Sequence, residues 1–315
     1  MERAGKKILE IADGKGLQVV KPKPVEWLWS PESGDEVELA FLARALIQIT
    51  LPHSDPGDVP CWVRQNGNLT LVLTRTNIDR KTRKMIGYPY GTLPRLLLYW
   101  LNSEVVRTKS RRIELGDSLS QFMCVLGMNS RNGTGIRSDS RRLRDQMDRL
   151  FSASIRFKRS TDHNEQDVVG AIVEKSDLWW DGKRPQQGYL WQSWVQVSET
   201  FYQTITTSAV PLNMGALRTL KRSPLALDLY TWLCYRNWGA NKAGKVQRIP
   251  WVAVHAQFGS DYADMFDFRR KAEKALLKIV QVQPELRVSV TQECLEIHPS
   301  VLVIPVPAGF RIPSR

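Results

Sequence analysis

Arginine is concentrated in one short segment, "SDSRRLRDQMDRL" at residues 138–150. Arginine is a permanent cation whose planar fork of N–H donors fits both a phosphate and the O6/N7 edge of guanine. Apolar residues recur only at Leu143, Met147 and Leu150, the i, i+4, i+7 spacing with which one side of a helix docks on a core. The segment therefore predicts a thinly anchored helix that presents arginine to a polyanion.

Catalytic and metal-binding patterns are weak by comparison. The histidines at 53, 163, 255 and 298 are isolated, and no pair has the spacing of a metal-dependent nickase. The four cysteines lie far apart without a CxxC pair, which is typical of free thiols in a reducing cytoplasm. No P-loop motif occurs, and "NGTG" at 132–135 is more simply a flexible turn than a phosphate cradle. We expect no cofactor, no metal and no enzymatic activity.

The composition of the whole chain also favours a polyanionic partner. The 315 residues carry a formal net charge of +13 at pH 7, and 42% of them are apolar. This length predicts two domains with well-formed cores, and the charge suits nucleic acid or an anionic membrane. The longest apolar stretches, such as residues 93–101, are too short to span a bilayer, and the N-terminus has no secretory signal. We therefore expect a cytoplasmic protein without membrane contact.

The order of predicted elements indicates an α+β fold. Residues 1–35 predict a flexible arm, residues 36–51 an opening helix and residues 68–76 a strand. Then follow an apolar helix, "YGTLPRLLLYWLNSEVV", a short strand, "RRIEL", and a helix, "SLSQFMCVL", capped by Asp117 or Ser118 and closed by glycine. The arginine helix comes next, followed by two alternating stretches, "ASIRFKR" and "DVVGAIVEKS", joined by the polar loop "STDHNEQ". This is the order of a winged helix.

The same order recurs towards the C-terminus. An apolar helix at 224–238, a strand "VQRIP", a short helix at 251–259 and a long basic helix at 266–282 precede a hairpin made of "ELRVSVTQ" and "CLEIHPS". Corresponding residues of the two regions form pairs, such as Tyr99 with Tyr230. The number of residues between the members of each pair is nearly constant. We therefore predict two tandem winged-helix domains from an internal duplication, the first at residues 36–205 and the second at 206–315.

The basic residues are concentrated where a winged helix meets DNA. Residues 105–159 hold thirteen lysines and arginines against five acidic residues. In such domains the third helix enters the major groove, while wing and helix ends meet phosphates. The predicted DNA-binding residues of the first domain are Arg131, Arg137, Arg141, Arg142, Arg144, Gln146, Arg149, Arg156, Lys158 and Arg159; those of the second domain are Arg269, Arg270, Lys271, Lys274 and Lys278.

The two basic helices differ in what they predict. On the first, we place Arg142, Gln146 and Arg149 together on the face opposite the apolar stripe, with Gln146 able to address adenine. The second is rich in lysine, which suits phosphates better than base edges, and its predicted inward stripe is Phe268, Ala272, Ala275 and Ile279. A solvated basic face is the alternative for either helix.

Four tryptophans lie within residues 176–198, beside a loop rich in Gly, Pro and Gln. They indicate either packing in a sheet or stacking on unpaired bases.

Three long motifs resemble the plasmid-encoded RepA-type replication initiators of broad-host-range bacterial plasmids. They are "YPYGTLPRLLLYWL" (88–101), "LGMNSRNGTGIRSDSRRLRDQMDRLFSASI" (126–155) and "SPLALDLYTWL" (223–233). The resemblance implies a tandem winged-helix initiator that binds direct repeats (iterons) in double-stranded DNA at a plasmid origin. It further implies melting of adjacent AT-rich DNA, recruitment of the host initiator and replicative helicase, and self-association that limits copy number.

A transcriptional repressor with the same fold is the main rival hypothesis. Such repressors are usually symmetric dimers on inverted repeats. Two unequal winged helices in one chain instead favour a direct repeat. A nickase or primase is the least supported function, because the sequence lacks the required motifs.

Overall fold

The computed structural model describes residues 7–8, 38–79, 83–116, 118–128, 138–161, 164–178, 193–259, 262 and 264–300. Within these residues, helices combine with antiparallel strands, which confirms the predicted α+β class. The elements up to residue 197 are β1 (Lys7–Ile8), β2 (Leu39–Ala43), α1 (Arg44–Gln48), β3 (Cys61–Asn66), β4 (Leu69–Arg75), α2 (Thr92–Thr108), β5 (Arg112–Glu114), α3 (Leu119–Val125), α4 (Asp139–Ser152), β6 (Ala153–Thr161), β7 (Asn164–Ala171), β8 (Val173–Asp177) and β9 (Trp194–Val197). They are followed by α5 (Glu199–Ser208), β10 (Ala209–Asn213), α6 (Met214–Leu220), α7 (Pro224–Ala243), β11 (Gln247–Pro250), α8 (Trp251–Phe258), α9 (Met265–Val282), β12 (Val288–Val290) and β13 (Cys294–Ile297).

Two sets of elements share the predicted order. We call α2, β5, α3, α4, β6 and β7 the first set, and α7, β11, α8, α9, β12 and β13 the second set. The Oγ atom of Ser118 accepts a hydrogen bond from the Gln121 N–H at 3.1 Å and so begins α3. The chain leaves α3 through Gly127, whose φ of +69° disfavours any side chain. These boundaries agree with the sequence signals.

The strands of the two sets pair differently. In the second set, β13 lies between β11 and β12, and β1 adds to the other edge of β12. In the first set, β6 and β7 pair with each other but join β4 and β3 in a four-stranded sheet. Strand β5 instead pairs with β9, which also pairs with β8. The two sets are therefore more alike in their element order than in their sheets.

Three local predictions were wrong. Within the stretch predicted as the opening helix, Leu39–Ala43 form a strand and Arg44–Gln48 a short helix, because β2 is held in register against β10. The polar loop predicted at 160–166 is mostly strand, since β6 continues to Thr161 and β7 begins at Asn164. The stretch 167–176 is divided at Ile172, beyond which β8 pairs with β9 and not with the hairpin.

The predicted domain boundary between residues 205 and 206 lies inside helix α5. Strand β10, which follows this helix, pairs with β2 near the beginning of the described chain. One cluster of buried apolar side chains runs through both sets. Of the predicted arm at residues 1–35, the structure describes only Lys7–Ile8 in β1, and the rest lies outside the described residues.

A buried ion cluster joins α2 to α7. The Nε and Nη2 atoms of Arg95 each donate to one carboxylate oxygen of Asp228, both at 2.7 Å. The Nε2 atom of His53 lies 2.8 Å from Oδ2 of the same carboxylate. All three side chains are buried. The cluster therefore ties the first set, the second set and the loop before α2 together.

The backbone completes the environment of Arg95. Its Nη1 atom donates to the carbonyl oxygens of Gly91 at 2.6 Å and Pro52 at 3.1 Å, and Nη2 donates to that of Leu51 at 2.7 Å. A guanidinium has five N–H donors, and these bonds together with those to Asp228 engage all five. A buried charge is tolerated when its hydrogen bonds are complete in this way.

The cluster fixes the charge state of its members. Burial raises the pKa of Asp228, but Arg95 and the hydrogen bond from His53 outweigh it and lower that pKa to about 2. Burial lowers the pKa of His53 despite its hydrogen bond to Asp228, so the ring is neutral at pH 7 and Nε2–H is the donor. Because the folded-state pKa of Asp228 lies below its usual value, its stabilising contribution is present above about pH 4 and is lost as the pH falls towards 2.

Replacing Asp228 should destabilise the whole fold. Asp228→Asn leaves Arg95 buried without a counter-charge, and we expect the free energy of unfolding at pH 7 to fall by about 3–5 kcal/mol. Urea denaturation followed by circular dichroism measures this change. Asp267→Asn, which removes a surface partner of Arg270, is the matched control and should hardly move the midpoint. Equal midpoints for Asp228→Asn and the wild type would show that the cluster does not hold the two sets together.

Candidate nucleic-acid interface

Helix α4 buries one more side chain than the apolar stripe predicted. Leu143, Gln146, Met147 and Leu150 are all buried, at the i, i+3, i+4, i+7 positions of one helix side. The Oε1 atom of Gln146 accepts a hydrogen bond from the Tyr90 N–H at 3.0 Å, and only 6% of Gln146 is exposed. The predicted outward position of Gln146, beside Arg142, is therefore wrong. Its amide holds α4 against the chain that leads into α2.

Arg149 is also turned towards the protein, so its predicted outward position is wrong. Its Nε lies 2.9 Å from Oδ2 of Asp145, and its Nη1 lies 3.1 Å from Oδ2 of Asp55. Nη1 also donates to the Tyr88 carbonyl at 3.2 Å, while the guanidinium lies over the Tyr90 ring, 5.2 Å from its centroid. Arg149 thus braces α4 against the preceding loops.

The outward side of α4 carries charges of both signs. Arg141, Arg142 and Arg144 are exposed, and so are Asp145 and Asp148. Ser138 begins the helix, because its Oγ accepts a hydrogen bond from the Arg141 N–H at 3.4 Å. The Nη1 atom of Arg142 lies 3.4 Å from Oδ1 of Asp139 one turn earlier. Three of the predicted arginines on this helix are therefore exposed, next to two exposed carboxylates.

The predicted wing residues lie on strand β6. Arg156 is exposed and pairs with Asp167 on β7, with Nε 3.4 Å from Oδ1. Arg159 is exposed and Lys158 is half-buried. The hairpin of β6 and β7 thus presents a small basic group, partly neutralised by an acidic neighbour.

Part of the predicted site lies in residues that the structure does not describe. Arg131, Arg137 and the "NGTG" turn lie outside the described residues, as do residues 179–192 of the tryptophan-rich segment. Trp194 is described: it lies in β9, and the guanidinium of Arg112 lies over its ring at 4.3 Å. This tryptophan packs on a sheet, which is one of the two predicted alternatives.

Helix α9 resembles α4, but all of its exposed charged residues are basic. It begins at the cap residue Asp264, whose Oδ1 accepts a hydrogen bond from the Asp267 N–H at 2.7 Å. The predicted inward stripe is confirmed, and one further leucine joins it. The buried residues are Phe268, Ala272, Ala275, Leu276 and Ile279.

Arg269, one of the predicted DNA-binding residues, is turned towards the protein. Its Nε lies 2.9 Å from Oε1 of Glu273, and Nη1 and Nη2 donate to the carbonyls of Gln292 at 2.7 Å and Thr291 at 3.0 Å. Its guanidinium also lies over the Trp251 ring at 5.2 Å. Arg269 therefore joins α9 to α8 and to the turn between β12 and β13.

The remaining predicted cations of α9 are exposed. Arg270 pairs with Asp267, with Nη2 2.6 Å from Oδ1, and this hydrogen bond lowers the pKa of the Asp267 carboxyl. Lys271 lies over the Tyr262 ring, with Nζ 5.9 Å from its centroid. Lys274 and Lys278 are exposed; no carboxylate in the described part of the chain lies within ion-pair distance of either. We call Arg270, Lys271, Lys274 and Lys278 the α9 cationic face.

One exposed aromatic residue on α9, Phe266, is not among the predicted site residues. Phe266 lies one turn before Arg270 and outside the inward stripe, and 78% of it is exposed. Its position four residues before Arg270 places it on the same side of the helix as that arginine, which the sequence alone indicates.

Two further searches cover only the described residues. No three His, Cys, Asp or Glu side chains there are grouped to hold a metal ion. None of the helices there combines the length and the apolar character needed to cross a bilayer.

Comparison with known proteins gives one family. The family described as "Plasmid encoded RepA protein" matches residues 88–252. This range begins before α2 and ends within α8, so it includes α4 but not α9. The sequence matches no curated protein. A crystal structure of domains 2 and 3 of RctB has a TM-score of 0.48 with 9% sequence identity, covering 79% of this chain and 95% of that chain.

The inward position of Gln146 gives a stability prediction. Gln146→Ala removes the acceptor of the Tyr90 N–H, and we expect the free energy of unfolding to fall by about 1–3 kcal/mol. Arg144→Ala, at an exposed site of the same helix, should leave stability almost unchanged because alanine is a good helix former. Thermal unfolding of the two variants beside the wild type checks this. If Gln146→Ala is as stable as Arg144→Ala, the Gln146 amide does not anchor α4.

Proposed function

Because this chain belongs to the plasmid-encoded RepA family of replication initiators, we propose that it starts plasmid replication by binding direct repeats in the duplex at the origin. The proposed activity is non-catalytic: the chain binds and deforms DNA. The alternative, a repressor that binds an operator, uses the same kind of contacts and differs in the arrangement of its sites.

We propose that both sets are winged helices. In this assignment, α3 with α4 and α8 with α9 are the helix-turn-helix pairs. The hairpins β6–β7 and β12–β13 are the wings. The recurring order of elements supports it, as does the sheet in which β13 lies between β11 and β12. The main difference from the second unit is that β5 pairs with β9 and not with the wing hairpin β6–β7.

The observation that carries the DNA-binding proposal is the α9 cationic face. Its four cations lie on the side of α9 away from the buried stripe, in a chain with a net charge of +13. Neutralising phosphates with such cations releases counterions from DNA, which supplies most of the sequence-independent affinity. A recognition helix also needs a buried side that holds it against its own domain. Phe268, Ala272 and Ile279 form that side.

Helix α4 has a second, more selective role in this proposal. Its three exposed arginines are interspersed with Asp145 and Asp148, which repel phosphates that are not placed against an arginine. Arg142 is held by Asp139 at 3.4 Å and can exchange that partner for a guanine edge. The exposed cations of the β6–β7 hairpin would then meet the adjacent phosphates.

The proposed events after binding are those that the resemblance to replication initiators implies. We propose that several copies on neighbouring repeats bend the duplex and ease the opening of AT-rich DNA beside them, where stacking is weakest. Recruitment of the host initiator and helicase, and self-association that limits copy number, belong to the same proposal.

Lys274 tests whether the α9 cationic face contacts phosphates. Removing one phosphate contact should reduce the slope of log affinity against log salt by about one unit. We therefore expect Lys274→Ala to bind duplex DNA more weakly than the wild type at low salt, and the two affinities to converge as salt rises. Fluorescence anisotropy with a labelled random-sequence duplex, titrated at several salt concentrations, measures the slope.

Lys242→Ala is the matched control, because Lys242 is an exposed lysine near the end of α7. Its salt slope should equal that of the wild type. An unchanged slope for Lys274→Ala would remove α9 from the interface, and a wild-type chain that does not bind duplex DNA would refute the proposed function.

A further inference from the structure

Phe266 is the most exposed large hydrophobic side chain in the described part of the chain. It is 78% exposed, whereas the other phenylalanines of the described helices α3, α8 and α9 are buried. A phenylalanine in a core position contributes a large apolar area, so leaving one in water gives up that stabilisation. Single exposed hydrophobic residues are common on proteins, and the position of Phe266 must therefore carry the argument.

Phe266 belongs to the same side of α9 as its cations. At 3.6 residues per turn, Phe266, Arg270 and Lys274 follow one another at i, i+4 and i+8 and lie within about 80° of each other around the helix axis. The buried stripe lies on the opposite side. Met265, the preceding residue, is only partly buried and packs against the core, which fixes the first turn of the helix. Phe266 therefore begins the α9 cationic face as its one aromatic member.

An apolar protein surface is a poor partner for Phe266, because charged residues surround this side chain. Docking on Phe266 would cover Arg270 and Lys274 as well, and charged groups lose favourable hydration when they are buried without partners. A polyanion with apolar groups near its phosphates satisfies both kinds of residue at once. The major groove of DNA has this chemistry, because the thymine C5-methyl group lies at its floor between two phosphate backbones.

We propose that Phe266 reads thymine by contact with the C5-methyl group in the major groove. This inference rests on the proposed function and adds a base-reading residue to it. The first residues of a recognition helix reach base edges, and Phe266 is the second residue of α9. Arg270 and Lys274, one and two turns later, then lie where the groove wall supplies phosphates. On this assignment α9 reads sequence, although its lysines alone indicate only phosphate contacts.

Replacement of thymine by uracil tests the contact, since uracil lacks only the methyl group. The probe is a duplex enriched from a randomised pool by the whole wild-type chain, with each thymine in the protected region changed to uracil in turn. For at least one position we expect the wild-type affinity to fall about fourfold, the effect of one buried methyl group. Phe266→Ala should bind the thymine and uracil duplexes of that position equally.

Leu277→Ala is the matched control, because Leu277 is a second exposed apolar residue on α9, about three turns away, with 48% of its surface exposed. It should keep the wild-type preference for thymine. Thermal unfolding of both variants checks that the fold is intact, as expected for substitutions at exposed sites.

The outcomes separate the two proposals. If the wild type enriches a duplex but no uracil substitution weakens it, or if Phe266→Ala keeps the preference for thymine, the inference is overturned and the proposed function stands. If no duplex is enriched at all, the proposed sequence-specific function fails, and the inference fails with it.

Discussion

The buried pair of Arg95 and Asp228 is the constraint on which the rest of the structure depends. It connects α2 to α7, and these two helices pack against α4 and α9 respectively. A buried ion pair is weak evidence for stability, because removing two charges from water costs about as much as their attraction returns. Its geometric effect is stronger: with all five Arg95 donors engaged, α2 and α7 have one satisfactory relative position. The two basic helices are therefore held in one relative position, and a ligand that contacts both helices must fit that position.

Both basic helices use one arginine as a brace. Arg149 lies over Tyr90 and Arg269 over Trp251, and each guanidinium also contacts a neighbouring carboxylate and a backbone carbonyl. This use of arginine differs from the proposed recognition role and depends on the same planar fork. The number of basic residues on a helix therefore overstates the charge it offers to DNA. The difference between α4 and α9 lies in what remains outside: arginines mixed with aspartates on one, and Phe266 with cations on the other.

The sequence predicts the helices of both sets well, because their apolar periods and caps are local signals. Gln146 could have been assigned inward, since it occupies the i+3 position of the stripe that begins at Leu143. Arg95 and Asp228 also carried a signal, as each is the lone charge within an apolar helical run. Strand pairing was not predictable in this way. The strand at Leu39–Ala43, where a helix was predicted, and the pairing of β5 with β9 depend on partners far away in the chain.

In the proposed binding mode, one chain places two recognition helices at a fixed separation on one duplex. Hydroxyl-radical footprinting and affinity measurement with a selected duplex test it most directly, with and without 5 base pairs inserted between the protected segments. Since half-sites read by linked units lie about 10 base pairs apart, an insertion of half a turn rotates one segment to the opposite face. We expect two protected segments in tandem, and an affinity with the insertion no greater than that for either segment alone. Unchanged affinity after the insertion, or protection symmetric about a dyad as for a repressor dimer, would contradict it.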